Sequence, residues 1–129
     1  MYEQDYIMRM NRDVIRTIVK LVLNRDIDYP IDITSDGLKR EEKRMLESLY
    51  GQIDMGKIKE LEKEMLELVI NNKERALEKA LLFYAYLNEQ SDEFLLLNDF
   101  SREKIKAGLK FIASQYGISD IVSMIYFLM

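Results

Sequence analysis

Apolar residues recur along most of this chain at intervals of three and four, the spacing that places side chains on one face of an α-helix. From about Glu3 to Asn24 the apolar stripe consists of Ile7, Met10, Val14, Ile18 and Leu21, widened by Ile15, Val19 and Val22. At 100° per residue, four basic side chains share the opposite side: Arg9, Arg12, Arg16 and Lys20. The pattern therefore predicts a long amphipathic N-terminal helix.

The connector after this helix runs from Arg25 to Gly37 and contains the chain's one proline, Pro30. Proline disfavours helical geometry at the residue before it, and Ser35-Asp36-Gly37 is typical of a turn that also caps a following helix. The segment is therefore predicted to be non-helical.

Helical spacing then resumes and predicts five more helices joined by short loops. Their approximate ranges are Leu38–Asp54, Lys57–Ile70, Lys73–Glu89, Arg102–Tyr116 and 121–129. Gly56 is expected to supply a left-handed turn, Gly117 to end a helix, and Ser101 to cap one, while residues 94–97 form a short turn. No linker divides the chain, so residues 1–129 are predicted to be a single helical domain.

Strict alternation of Val, Ile and Thr is absent from the sequence, which argues against β-strands. The chain has 129 residues, of which 48% are hydrophobic, and this is enough for one packed core. We predict an all-α fold in which antiparallel helical hairpins follow the long first helix.

The fourth predicted helix carries three aromatic rings within four residues: Phe83, Tyr84 and Tyr86. The rings point in three directions around a helix that is apolar on nearly all sides, which is typical of a helix surrounded by neighbours. A recognition surface is the alternative, but core packing is favoured, with the tyrosine hydroxyls bonded to a loop carbonyl or to water. Asp92 and Glu93 are interpreted as capping residues for the turn at Phe94 rather than as metal ligands.

The basic stripe of the first helix has two interpretations. Arg9, Arg12, Arg16 and Lys20 could bind an anionic membrane surface or nucleic acid. However, acidic residues lie on or beside the stripe (Glu3, Asp5 and Asp13), and it lacks aromatic residues for stacking on bases. A solvated face, or ion pairs with the acidic third helix, is favoured, and the stripe remains a candidate partner-binding site.

The final segment, IVSMIYFLM, has one serine among nine residues and therefore no polar face to offer water. Either this helix is covered by the fifth and first helices, or it is shared between two copies of the chain. We predict a homodimer in which this helix and the first one take part. The candidate partner-binding residues here are Ile121, Ile125, Tyr126 and Phe127.

Composition excludes much chemistry. The chain has no cysteine and no histidine, so it lacks thiolate nucleophiles, imidazole bases and the usual zinc and di-iron ligand sets. A net charge of −4, with both signs interspersed, gives no reason to expect nucleic-acid binding. No apolar run is long enough for a membrane span, and the N-terminus does not resemble a secretory signal. We expect a cytoplasmic protein without cofactor or metal.

Three segments resemble an uncharacterised family of small all-helical bacterial proteins, known mainly from Gram-positive genomes. They are MYEQDYIMRMNRDVIR, ALEKALLFYAYLNEQSDEFL and FSREKIKAGLKFIASQYGI. The resemblance implies a helical architecture and supplies no catalytic residues.

The middle of the chain also resembles a tetratricopeptide-like helical hairpin, with Gly56 as the glycine between its helices. Leu61 and Met65 then stand where that repeat has a small residue and an aromatic one. A second period of about 34 residues is not evident. The resemblance therefore implies a tetratricopeptide-like α-α superhelix as a shape rather than a true repeat protein.

Together these observations favour a non-catalytic module that binds another protein or a second copy of itself. One alternative is a small enzyme that uses carboxylate, lysine or tyrosine groups, which would need two such groups with separated pKa values in one pocket. The other is a regulator that binds anionic surfaces through the basic stripe of the first helix.

Overall fold

A computed structural model of the chain describes residues 2–24, 40–73 and 75–128. Within these ranges the chain forms seven α-helices and no strand, so the predicted all-α class is confirmed. The helices are α1 (Tyr2–Ile18), α2 (Arg40–Asp54), α3 (Ile58–Ile70), α4 (Ala76–Asn88), α5 (Asp92–Leu97), α6 (Arg102–Gln115) and α7 (Ser119–Leu128). The predicted connector 25–37, the predicted helix start at Leu38 and residue 129 lie outside the described residues.

The long first helix is confirmed in extent, but its last turn differs from the prediction. α1 continues into a π-helical turn, Val19–Leu23, which ends at Asn24 with a φ of 54°. A π turn contains more residues than an α turn, so positions after Ile18 are rotated relative to the predicted stripe. Leu21 was expected on the buried side and is instead 50% exposed.

α4 lies at the centre of the fold and packs against α1, α2, α3 and α6. Ten of its 13 residues are buried, as the apolar character of this segment predicts. Phe83 and Tyr84 are fully buried and meet edge to face, with ring centroids 5.2 Å apart. Tyr86 is partly buried and its ring stacks on that of Tyr50, with the ring centroids 4.0 Å apart. Core packing is thus confirmed for Phe83 and Tyr84, and in part for Tyr86.

The two tyrosine hydroxyls of α4 donate to carboxylates, not to a loop carbonyl or water as predicted. Tyr84 donates to Glu62 on α3 and Tyr86 donates to Asp54 on α2, each at 2.8 Å. Burial first, and the neighbouring carboxylate in addition, raise the pKa of Tyr86 to about 12 and that of Tyr84 well above its usual value. Both hydroxyls therefore stay protonated and act as donors that connect α4 to its neighbours.

Gly108 on α6 leaves space that the Tyr84 side chain of α4 occupies. A Cβ atom at this position would lie 2.1 Å from the Tyr84 hydroxyl oxygen and 2.3 Å from the ring carbon Cζ. The small residues Ala107, Gly108 and Ala113 predict that another backbone approaches α6 closely, but the group that lies against Gly108 is the Tyr84 side chain. Gly108 and Ala113 are buried, but Ala107 is exposed and lies on the outer side of α6.

A buried polar cluster joins α1, α4 and α6. Asn11 Nδ2 donates to Asn88 Oδ1 at 3.1 Å and to the Arg102 carbonyl at 3.2 Å. Arg102, only 3% exposed, donates through Nε to the Asn88 carbonyl at 3.1 Å. Because polar groups inside a fold are costly unless they are hydrogen-bonded, this cluster fixes the relative positions of the three helices.

The short turn predicted at residues 94–97 is the end of α5, which begins at Asp92. Its cap is Ser91, whose hydroxyl accepts a hydrogen bond from the Phe94 N–H at 3.0 Å. The interpretation of Asp92 and Glu93 as the capping pair is therefore wrong. They occupy the first turn, and the Asp92 carboxylate instead accepts a hydrogen bond from Arg102. Ser101 caps α6 as predicted, since its hydroxyl accepts from the Lys104 N–H at 3.2 Å.

α2 and α3 are joined at Gly56, which has a φ of 83°, and the predicted left-handed turn is confirmed. Leu61 and Met65 are buried on α3, which packs against α2, α4 and α6. The helices therefore form packed pairs, while the tetratricopeptide-like superhelix stays a prediction.

Gly51 lies in the middle of α2, exposed, with no atom within 4 Å of the position of an added Cβ. Glycine in a helix interior costs about 1 kcal/mol relative to alanine, because more backbone freedom is lost on folding. We expect Gly51→Ala to raise the free energy of unfolding by about 1 kcal/mol, as measured by urea denaturation. An unchanged or lower denaturation midpoint would contradict this expectation.

Candidate functional site

α7 is positioned by the end of α6. Gly117 has a φ of 73°, and the Ile118 N–H bonds back to the Ala113 carbonyl at 3.0 Å, so the chain reverses within a few residues. α7 then returns along α6 and also packs against α1. The prediction that Gly117 ends the helix is confirmed.

One side of α7 is part of the core. Val122 is fully buried and Tyr126 is 9% exposed. The Tyr126 hydroxyl donates to Asn11 Oδ1 at 2.6 Å and so joins the polar cluster between α1, α4 and α6. Burial raises the pKa of Tyr126, which therefore remains a hydrogen-bond donor. This placement makes Tyr126 a core residue rather than part of a surface offered to a partner.

The opposite side of α7 is apolar and exposed. Ile121 is 43% exposed, Met124 is 58% exposed and Phe127 is 86% exposed, at successive intervals of three residues. Ile125 is partly buried at the edge of this surface. We call Ile121, Met124 and Phe127 the α7 face. Of the four residues predicted here, Ile121 and Phe127 belong to it, Ile125 borders it and Tyr126 lies behind it.

An open cleft of about 540 Å³ runs between α6 and α7 along the α7 face. Its α6 side is basic: the ammonium of Lys106 lies 4.8 Å from the centroid of the Tyr126 ring, and that of Lys110 lies 5.7 Å from it. Such cation–π contacts hold the charges over the ring. The apolar face of α7 is therefore bordered by two positive charges near its C-terminal end.

Sequence reasoning missed three residues at this surface. Met124 stands midway between Ile121 and Phe127 at helical spacing, and this spacing was a usable signal. Lys106 and Lys110 belong to α6, and no local pattern in the sequence predicts that their side chains lie beside α7.

The four residues of the predicted basic stripe differ in their exposure. Arg9, Arg16 and Lys20 are exposed, whereas Arg12 pairs with Glu89 at the end of α4. The guanidinium donates to both carboxylate oxygens, at 2.8 and 2.5 Å. The predicted ion pairing is therefore present for Arg12, whose partner Glu89 directly follows α4, whereas the prediction placed the partner on the acidic third helix.

Two kinds of polar arrangement bear on metal binding and on proton transfer. In residues 2–24, 40–73 and 75–128, no three acidic side chains gather in a way that could hold a metal ion. Tyr84 and Glu62 form a part-buried pair of a hydroxyl and a carboxylate, and the raised pKa of Tyr84 makes this hydroxyl a weaker proton donor near neutral pH. Within the same ranges, no helix has the length and apolarity required to cross a lipid bilayer.

The fold and this surface define the chain as an all-helical protein whose last helix presents apolar side chains to solvent. A family described as a family of unknown function (DUF6483) matches residues 1–117, and the chain belongs to that family. The expected relationship to an uncharacterised family is therefore confirmed. No curated protein and no solved structure matches the chain. The matched segment ends just before α7 begins at Ser119.

Proposed function

We propose that this protein is a non-catalytic interaction module that binds a protein chain through the α7 face. The observation that carries the proposal is the exposure of Phe127, a large aromatic side chain that is 86% accessible although its neighbour Tyr126 is buried. Water-exposed aromatic and methionine side chains are the residues that protein interfaces favour at their centres. The cytoplasmic location and bacterial origin expected from the sequence belong to the same proposal.

The arrangement of α7 supports this function physically. Val122 and Tyr126 fix the helix to α1 and α6, so the α7 face is presented on a rigid element. A binding surface that is already ordered loses little conformational entropy on association. Because α7 lies beyond the segment matched by the family, the proposal concerns this chain and is not extended to the family.

The proposal is tested by placing a photo-crosslinking amino acid at position 127 in cells that naturally make the protein. Leu97, which is 85% exposed on α5, provides a control position of matched accessibility. We expect irradiation to convert the position-127 protein into an adduct of higher mass, at a clearly greater yield than the position-97 protein. Either a second copy or a different protein as the crosslinked partner supports the proposed function.

One result would contradict the proposal that the α7 face binds a protein. If full-length mass measurement shows that the probe is incorporated at position 127, yet irradiation gives no adduct, the α7 face has no protein partner in the cell. A strong adduct at position 97 alone would assign the interaction to α5 instead.

A further inference from the structure

We infer that the α7 face binds the α7 face of a second copy, with the two helices antiparallel about a twofold axis. The inference rests on the proposed function and specifies its partner. The observation behind it is that the two ends of α7 are bordered by opposite charges. Asp120 lies in the first turn, while Lys106 and Lys110 lie over the Tyr126 ring near the last turn.

The spacing of these charges selects the antiparallel arrangement. Asp120 and Tyr126 are six positions apart, which is about 9 Å along a helix at 1.5 Å per residue. In an antiparallel pair, the Asp120 end of each α7 meets the lysine end of the other, and both charge contacts are attractive. In a parallel pair, lysines would face lysines and aspartates would face aspartates, which is repulsive at both ends.

The charges are available for such contacts. Among the described side chains, Lys106, Lys110 and Asp120 form no ion pair within the chain. Glu103, one turn before Lys106, is engaged with α1, where it accepts a hydrogen bond from Gln4 at 3.2 Å. Lys106 and Lys110 are therefore available at the cleft beside the α7 face to form ion pairs with an acidic group of a second copy.

The apolar residues have the symmetry that this arrangement needs. Met124 is central, with Ile121 and Phe127 three residues to either side. When two such stripes run in opposite directions, Met124 meets Met124, and each Phe127 packs against Ile121 of the other copy. An isologous interface requires this kind of self-complementary patch.

The expected affinity is modest. A helix of ten residues is about 15 Å long, so the contact is small compared with the roughly 1,200 Å² or more that stable interfaces bury. A dissociation constant on the order of micromolar is therefore expected, and the dimer should form and dissociate within an accessible concentration range.

Sedimentation equilibrium over a concentration series tests the role of the face. We expect the wild-type mass to rise from 15.3 kDa towards twice that value as concentration increases. Phe127→Ser should remain at the monomer mass, whereas the matched control Leu97→Ser should behave like wild type. Both side chains are highly exposed, so neither change is expected to disturb the fold, and circular dichroism verifies this.

Charge exchange tests the antiparallel geometry. Lys110→Glu and Asp120→Lys should each weaken self-association about tenfold, because each change converts two attractive contacts into repulsive ones. Mixing the two variants should restore association, since a heterodimer of one with the other again has two attractive contacts. In a parallel dimer, like charges already face each other at both ends, so neither substitution alone would weaken self-association. The loss in each single variant therefore identifies the antiparallel arrangement.

The inference is overturned if wild type remains monomeric throughout, if Phe127→Ser still dimerises, or if the mixed charge variants associate no better than each alone. A monomeric wild type whose position 127 crosslinks to a different protein would overturn the second copy as partner and leave the proposed function standing. No adduct at position 127 would overturn the proposed function itself.

Discussion

Replacing Gly108 by alanine is expected to lower the free energy of unfolding by about 3 kcal/mol, which corresponds to a fall of about 10 °C in Tm for a chain of this size. The added methyl group would lie 2.1 Å from the Tyr84 hydroxyl oxygen, far inside van der Waals contact. Tyr84 cannot move aside easily, because it is fully buried and its hydroxyl is bonded to Glu62. Relief therefore requires α4 and α6 to separate.

Two controls make this result specific. Gly51→Ala is the same substitution in an open position of another helix and is expected to have the opposite sign. Tyr84→Phe removes only the hydroxyl, and the ring carbon Cζ would still lie 2.3 Å from the new methyl group, so it should not rescue Gly108→Ala. Thermal denaturation followed by circular dichroism measures all three. A Gly108→Ala protein as stable as wild type would show that α4 and α6 do not hold the Tyr84 side chain against position 108.

The sequence predicted the helices well because their signals are local. Apolar spacing, the hydroxyl of Ser101 and the left-handed glycine Gly56 act over a few residues, and each is found as expected. The π-helical turn Val19–Leu23 was not predicted, since nothing in the apolar pattern distinguishes it from a continuing α-helix. Leu21 was consequently assigned to the wrong side.

The candidate site was predicted only in part, because α7 is apolar on nearly all sides and its periodicity cannot orient it. The orientation comes from α1, where Asn11 lies in the buried stripe and needs a partner. Tyr126 supplies a hydroxyl for it and turns inward, so that Phe127 turns outward. Asn11, four positions after Ile7 and three before Val14, was the sequence signal that could have revealed this.

The contacts of charged side chains between distant parts of the chain had no comparable signal in the sequence. Arg12 is 77 positions from Glu89, and their pairing follows from the packing of α1 on α4 rather than from any motif. The same holds for Lys106 and Lys110, whose place beside the α7 face depends on the turn at Gly117. The function proposed for that face therefore needed the structure.

Arg102→Leu is expected to destabilise the protein by about 3 kcal/mol, because it leaves buried acceptors without their donor. The guanidinium bonds to the carbonyl oxygens of Asn88 and Gln90, and also to Gln4 Oε1 and the Asp92 carboxylate. A leucine side chain can fill much of the space left by Arg102 but has no N–H group to donate a hydrogen bond. The carbonyls at the end of α4 would then remain desolvated and unpaired, which is the costly case. Urea denaturation gives the change in free energy of unfolding.

The matched control for Arg102→Leu is Asp92→Asn, which removes the charge on the other side of the ion pair. The Asp92 side chain is 60% exposed, whereas that of Arg102 is 3% exposed, so water can replace much of what the carboxylate loses. We therefore expect Asp92→Asn to cost less than about 1 kcal/mol. If the two substitutions cost the same, Arg102 would act mainly through its ion pair. If only Arg102→Leu is costly, the role of Arg102 is to donate hydrogen bonds to the carbonyl oxygens where α4 ends. These hydrogen bonds hold α1, α4 and α6 in the arrangement against which α7 packs.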